Sequence, residues 1–184
     1  MIAIVDYGMG NLRSVERAFS AIGAEPKITN VPDELAAAER IVLPGVGAFG
    51  KAMERLHHLG LVEALDELVR RDGRPFLGIC LGMQLVCSES YEHGHHAGLG
   101  WLSASVRPFE ARDRKLRVPH TGWNEVTAAR SSALFDDAGP AGTYYFVHSY
   151  QVVSEATELI TGTCEYGSPV TACLEQDNVV ATQF

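Results

Sequence analysis

No stretch of this chain approaches the roughly 18 consecutive apolar residues of a membrane-crossing helix, although 46% of its residues are hydrophobic. A membrane span is not expected. No basic leader precedes Asp6 in MIAIVDYGMGN, so a signal peptide is not expected and a cytoplasmic setting is. The four cysteines, Cys80, Cys87, Cys164 and Cys173, form no C-x-x-C pair, which favours reduced thiols over disulfides or a zinc centre. Positive charge is in deficit: 15 Lys and Arg against 23 Asp and Glu give a net charge of −8. That balance leaves no electrostatic footprint for nucleic acid. Internal repeats, low-complexity tracts and linkers are also missing, so residues 1–184 are expected to form one domain. The expected ligand is a small molecule or another protein, with no metal and no cofactor.

What is present is an alternation of short apolar runs and turns. Ile2–Val5 reads as a strand, followed by the turn Tyr7-Gly8-Met9-Gly10 and by Asn11, an N-cap for a helix reaching about Gly23. The unit recurs at Arg40–Leu43, which enters the glycine-rich segment 44–50. Leu61, Val62, Leu65, Leu68 and Val69 form one helical stripe closed by Gly73. Pro75–Ile79 is then a strand, and a helix follows Cys80. Strands alternating with helices predict an α/β fold with a mostly parallel central sheet flanked by helices, and ligand sites at the carboxyl ends of the strands. From about residue 98 the texture becomes strand-rich, with strands expected over 99–110, 122–127, 143–154, 158–166, 169–176 and 179–184 and a short helix near 131–138. Antiparallel pairing is expected in this half. Residues 89–98, with His93, His95 and His96, read as an exposed loop rather than a metal-ligand set.

Two segments carry chemistry. Gly78-Ile79-Cys80-Leu81-Gly82 has the form of a nucleophile elbow with cysteine in place of serine. A tight strand-to-helix turn would expose the sulfur near a helix N-terminus, which favours a thiolate, and would aim the Leu81 N–H at a forming oxyanion. The competing reading is a small buried cysteine in a close-packed turn. Pro44-Gly45-Val46-Gly47-Ala48-Phe49-Gly50 also leaves a strand end. Its free N–H groups could cradle a phosphate, supply a second oxyanion donor or simply turn the chain. The segment lacks the Gly-Lys-Ser/Thr ending of a P-loop and the G-x-G-x-x-G fingerprint.

Together with VDYGMGNLRSV, LPGVGAFG, VPHTGWN and YYFVHSY, the segment FLGICLGMQL resembles the glutaminase subunit of imidazole glycerol phosphate synthase, a triad-type class I glutamine amidotransferase of histidine biosynthesis. The resemblance runs from residue 2 to residue 184. It implies that Cys80 attacks the side-chain amide of L-glutamine, giving a thioester and ammonia, and that water then releases glutamate. It further implies that the backbone N–H groups of Leu81 and of Val46 or Gly47 hold the oxyanion. By the same carry-over Gly47, Gln84, Glu92, Ser149 and Tyr150 hold glutamine, while Asn11, His120, Trp123 and Asn124 face a (β/α)8-barrel cyclase that receives the ammonia. Gln84 falls one turn after Cys80 on the same helix face, which suits substrate contact. Asn11 could equally be a plain N-cap and Trp123 plain core.

A free thiol of pKa near 8.5 is only about 3% thiolate at pH 7, so the chemistry needs a base. The resemblance assigns it to a His-Pro-Glu segment following a strand like Val179–Phe184, which lies beyond residue 184. On that reading residues 1–184 alone are expected to hydrolyse glutamine negligibly. His148, at an expected strand end, is the substitute that position alone would suggest, but the resemblance gives it another role. A binding module without catalysis, and an amidotransferase serving another synthase, are the alternatives.

Overall fold

The computed structural model describes residues 1–109, 117–136 and 139–184. Its elements are β1 (Ile2–Val5), α1 (Leu12–Ala21), β2 (Pro26–Thr29), α2 (Pro32–Ala36), β3 (Arg40–Gly45), α3 (Phe49–His58) and α4 (Leu61–Leu65). There follow β4 (Phe76–Cys80), α5 (Leu81–Leu85), β5 (Cys87–Ser90), β6 (His96–Ala97), β7 (Leu102–Pro108), β8 (His120–Ala128) and α6 (Ala133–Asp136). The chain continues through β9 (Ala141–His148), β10 (Tyr150–Val153), β11 (Ile160–Glu165), β12 (Pro169–Gln176) and β13 (Val179–Thr182).

Nine strands form one sheet in the order β2-β1-β3-β4-β13-β12-β11-β8-β9. The five from β2 to β13 run parallel and the rest antiparallel, so the central sheet is mixed, with its antiparallel strands in the C-terminal half as expected. The parallel pairs among β1, β2, β3 and β4 follow from the alternation of strands and helices in the first half of the chain. The late strand β13 leaves its antiparallel partner β12 and slots in parallel beside β4, with Thr182 opposite Ile79. A second sheet, β10-β7-β5-β6, shares the main core with the first, through Leu102, Val106 and Val152. The main core gathers Val5, Leu43, Phe49, Leu56 and Leu81, and a smaller one gathers Phe109, Val126, Phe135 and Phe146 under the antiparallel end.

Several boundaries differ from the sequence reading. The expected strand 143–154 is two strands in two different sheets, broken at Ser149. There the Ser149 carbonyl accepts from the Phe109 N–H at 2.8 Å, and the chain turns out of the large sheet into the small one. Residues 89–98 are not a plain loop: β5 and β6 pair antiparallel, with Ser90 opposite His96. The stripe over 61–71 changes from α to π at Asp66. Asn11 does stand at the start of α1, yet its side chain makes no capping bond, and only its carbonyl serves the first turn. The ends of the expected strand and helix at Glu110 and at 137–138 lie outside the described residues.

Candidate active site

The turn at Cys80 is tight enough to dictate its neighbours. Cys80 has φ 56° and ψ −108°, a strained backbone for a non-glycine residue, between β4 and the five-residue helix α5. A Cβ on Gly78 would sit 2.8 Å from the Gly82 carbonyl carbon, and one on Gly82 would collide with the Leu43 carbonyl oxygen. The first glycine lets α5 fold back on its own strand; the second lets it rest on β3. In the paired register Cys80 lies opposite Gly45, so the elbow and the glycine-rich loop leave the sheet side by side.

A cavity of about 550 Å³ opens at these strand ends. Val46, Gly47, Cys80 and Leu81 line one part of it, and Gln84, Glu92, Ser149 and Tyr150 another. The sequence thus named eight residues that the fold draws into one cavity from four separate segments. Gly47 adopts φ 104°, a conformation that favours glycine. Glu92 accepts a 2.5 Å hydrogen bond from the Phe49 N–H at the first turn of α3, which ties the second sheet's hairpin to the loop that follows β3.

Burial pushes the Cys80 thiol above its usual pKa, partly offset by the Leu81 N–H and by a donor from Gln183. The short helix therefore does not by itself make a thiolate here. The Gln183 Nε2 stands 3.7 Å from Cys80 Sγ, and the Gln183 Oε1 accepts from Gln84 Nε2 at 3.2 Å. Gln84 Nε2 also reaches the Tyr150 carbonyl at 3.4 Å. A carbonyl can only accept, so this contact fixes which end of the Gln84 amide faces it; Gln183 is then oriented with its NH2 toward sulfur.

The same logic applies to His148, which also lines the cavity. Its Nδ1 lies 2.8 Å from the Tyr150 carbonyl and so carries the proton, and its Nε2, 2.9 Å from His120 Nδ1, must accept. His120 Nε2 in turn faces the Asn124 amide nitrogen at 3.4 Å. Burial lowers the pKa of both rings, that of His120 to about 4, with His148 adding to the effect. Both imidazoles are neutral at pH 7, and neither nitrogen of His148 is free to take a proton from Cys80.

The residues expected at the partner face do not share one surface. In the β8–β9 ladder Trp123 pairs with Tyr145 and Thr121 with Val147, while His120 pairs with His148 and Asn124 with Tyr144. Side chains alternate between faces. Trp123, 73% exposed, lies with Tyr145 and Val147 on the outer face, whereas His120, 1% exposed, stacks against Phe146 and Tyr166 on the inner one. Asn124 shares that inner face and donates to the Glu165 carbonyl. Asn11 is exposed at the start of α1.

Sequence reasoning missed Gln183, His93, Pro119 and Val147. Gln183 reaches Cys80 only because β13 inserts beside β4, and the other three line the cavity through β8–β9 pairing and the β5–β6 hairpin. His93, His95 and His96 have different neighbours: the cavity, the Glu89 carboxylate at 2.8 Å, and Gly50 of α3. Tyr7 was also missed. Its buried hydroxyl has no hydrogen-bond partner among the described residues and lies against Gly45, on which Leu81 also packs.

Residues 3–184 match the family described as Glutamine amidotransferase class-I. Proteins called imidazole glycerol phosphate synthase subunit HisH are similar over the whole of this chain. The one from Syntrophotalea carbinolica is 45% identical, with 91% of its own length covered, and the one from Moorella thermoacetica is 47% identical, with 85% covered. Among solved structures, one described as a glutamine amidotransferase superposes with a TM-score of 0.76 at 16% identity, over 100% of this chain and 89% of that one. The glutaminase domain of Trypanosoma brucei CTPS with bound acivicin superposes at 0.70 with 18% identity, over 100% of this chain and 84% of that one.

Proposed function

The chain belongs to the class I glutamine amidotransferases, and from that premise we propose that it is the glutaminase subunit of an imidazole glycerol phosphate synthase. The observation that carries the reading is the strained Cys80 elbow, opening with the glycine-rich loop into a cavity of a size suited to one small molecule. The names of relatives 45 and 47% identical supply the synthase.

In this reading Cys80 Sγ bonds to the side-chain amide carbon of glutamine, and the oxygen takes the negative charge. The Leu81 N–H and a second N–H, from Val46 or Gly47, hold that oxyanion. The C–N bond then breaks, the nitrogen leaves as ammonia with the proton given up by the thiol, and water cleaves the thioester to glutamate. Gln84, Gly47, Ser149 and Tyr150 hold the substrate. Glu92, with one oxygen tied to α3, lines the cavity and is assigned the glutamine ammonium. His148 does not serve as base, because its two nitrogens are committed; the His-Pro-Glu segment that the resemblance assigns to the family would do so. The ammonia passes to a cyclase partner of (β/α)8-barrel form, for which the exposed Trp123, Tyr145 and Val147 and the separate Asn11 offer contact surface.

The test is glutamine hydrolysis by the complete natural chain with its cyclase subunit, compared with Cys80→Ala. Ammonia production is expected to vanish while the complex still forms. Continued ammonia release would make the elbow structural, and a complex formed only with a different synthase would overturn the partner assignment.

A further inference from the structure

One backbone atom organises two side-chain chains at this site. The Tyr150 carbonyl accepts from His148 Nδ1 at 2.8 Å and from Gln84 Nε2 at 3.4 Å. A carbonyl oxygen has two lone pairs and no proton to give, so its position sets the direction of every bond behind it. On one side it fixes the His148 tautomer and, through the 2.9 Å contact, that of His120. On the other it fixes the Gln84 amide, then the Gln183 amide, and so the NH2 that faces Cys80 Sγ at 3.7 Å. Sequence separation makes this connection costly to assemble: Gln84 and Gln183 are 99 positions apart, and His120 and His148 are 28 apart.

The carbonyl also sits at a vulnerable place. Ser149 is where the chain leaves the large sheet for the small one, so neither sheet's ladder holds it from both sides. A side-chain bond from His148 to the carbonyl two residues on closes a local ring across that corner, as Asx and ST turns do elsewhere. The His148 ring is itself held. Phe109 meets it edge-on with centroids 5.9 Å apart, and the Phe109 N–H holds the Ser149 carbonyl at 2.8 Å. His120 is clamped between Phe146 and Tyr166 with centroids 4.7 and 4.0 Å away. An aromatic cage of this kind fixes ring orientation, and a neutral ring pair adds no charge beside the sulfur.

We propose that His148, with His120 behind it, is a positioning residue for glutamine hydrolysis: it holds the Tyr150 carbonyl and thereby orients Gln84 and Gln183 around the substrate and Cys80. This role rests on the glutaminase reading. His148 touches neither the reacting atoms nor the transferred proton; it acts through the corner at Ser149 and Tyr150. Because the corner lines the cavity, its displacement weakens substrate binding more than the chemical step.

The test uses the complete chain in complex with its cyclase subunit. His148→Phe keeps an aromatic ring and removes the donor; His148→Asn keeps an N–H near the Nδ1 position. The expected result is a rise of about tenfold in the glutamine KM for His148→Phe with kcat changed less than about threefold, and recovery to within about threefold of the natural KM for His148→Asn. A folded His148→Phe protein with an unchanged KM would overturn the proposal, as would a His148→Asn protein as impaired as His148→Phe, since that pattern reports packing alone. A measurement without substitution stands beside these: ring 15N shifts of the unmodified protein should show His148 neutral and protonated at Nδ1. Protonation at Nε2 would overturn the proposal. If the unmodified complex hydrolysed no glutamine, the glutaminase reading would fail, and the tautomer measurement would still decide the hydrogen-bond arrangement proposed here.

Discussion

The side-chain amide of Gln183 stands between Gln84 and Cys80, its oxygen accepting from Gln84 Nε2 at 3.2 Å and its nitrogen 3.7 Å from Cys80 Sγ. The donor favours the thiolate while burial of the sulfur opposes it, and burial wins. Alkylation of Cys80 by iodoacetamide should therefore titrate with a midpoint above that of a free cysteine. In Gln183→Leu, which removes the donor, the midpoint should rise further. A midpoint that falls in Gln183→Leu would contradict this balance.

Gly82 is placed where a methyl group would meet the Leu43 carbonyl oxygen. Backbone cannot rotate away as a side chain can. Gly82→Ala should lose about 3 kcal/mol or more of stability, read from urea unfolding. A loss under about 1 kcal/mol would mean that α5 can lift off β3 freely.

Glu92 holds the Phe49 N–H, and its proposed second role, toward substrate, is read by a different measurement on the same variant. Glu92→Gln keeps an acceptor for the Phe49 N–H but removes the charge at the first turn of α3, at a cost of about 0.5 to 1 kcal/mol in unfolding free energy. If Glu92 pairs with the substrate ammonium as proposed, the variant should raise the glutamine KM about tenfold with kcat little changed. An unchanged KM would leave Glu92 with the structural role alone.

Tyr7 supplies the opposite case. Its hydroxyl is buried without a partner among the described residues, and burial, with Cys80 nearby, raises its pKa far above that of a free tyrosine. Tyr7→Phe should stabilise the protein by about 1 kcal/mol in thermal unfolding. A clear loss would reveal a hydrogen bond to a residue outside those described.

Stability should fall on both sides of neutrality. His120 and His148 have folded pKa values below their unfolded value near 6.5, about 4 for His120. Their contribution is present above pH 6.5 and is lost as pH falls through the folded values, because the unfolded chain binds protons first. Cys87, Cys164 and Cys173 are pushed up to about 12, 11 and 12 by burial. Their contribution is present below the unfolded thiol value of about 8.5 and is lost as pH rises toward the folded ones. Each group titrating in its window changes the unfolding free energy by about 1.4 kcal/mol per pH unit. Thermal midpoints between pH 4 and 10 check this; a flat profile below pH 6.5 would contradict the buried neutral histidine pair.

Much of the site was legible because its signals are local. The Cys80 elbow rests on two glycines within two residues of it, and the loop after β3 announces itself by glycine content. Gln84, which the resemblance implies, also fits the spacing of one helical turn after Cys80. Long-range geometry was not legible. Gln183 reaches the sulfur only because β13 inserts parallel beside β4, which neither segment's composition reveals. The corner at Ser149 fell inside the expected strand 143–154, because Tyr, Phe and Val dominate Tyr144 to Val153 and the break depends on contacts from Phe109 and His148. Alternation along β8 put His120 and Asn124 on the face opposite Trp123; the spacing was there to be read, but the expected strand began at residue 122, whereas β8 begins at His120.

The central claim is that Cys80 is the nucleophile for glutamine. The most direct measurement is peptide mapping by mass spectrometry after the complete chain, in complex with its cyclase subunit, is inactivated by a diazoketone analogue of glutamine. A single adduct on Cys80, formed in step with the loss of hydrolysis and blocked by excess glutamine, is the predicted result. Inactivation with the adduct on Cys87, Cys164 or Cys173, or hydrolysis that persists with Cys80 fully modified, would contradict it.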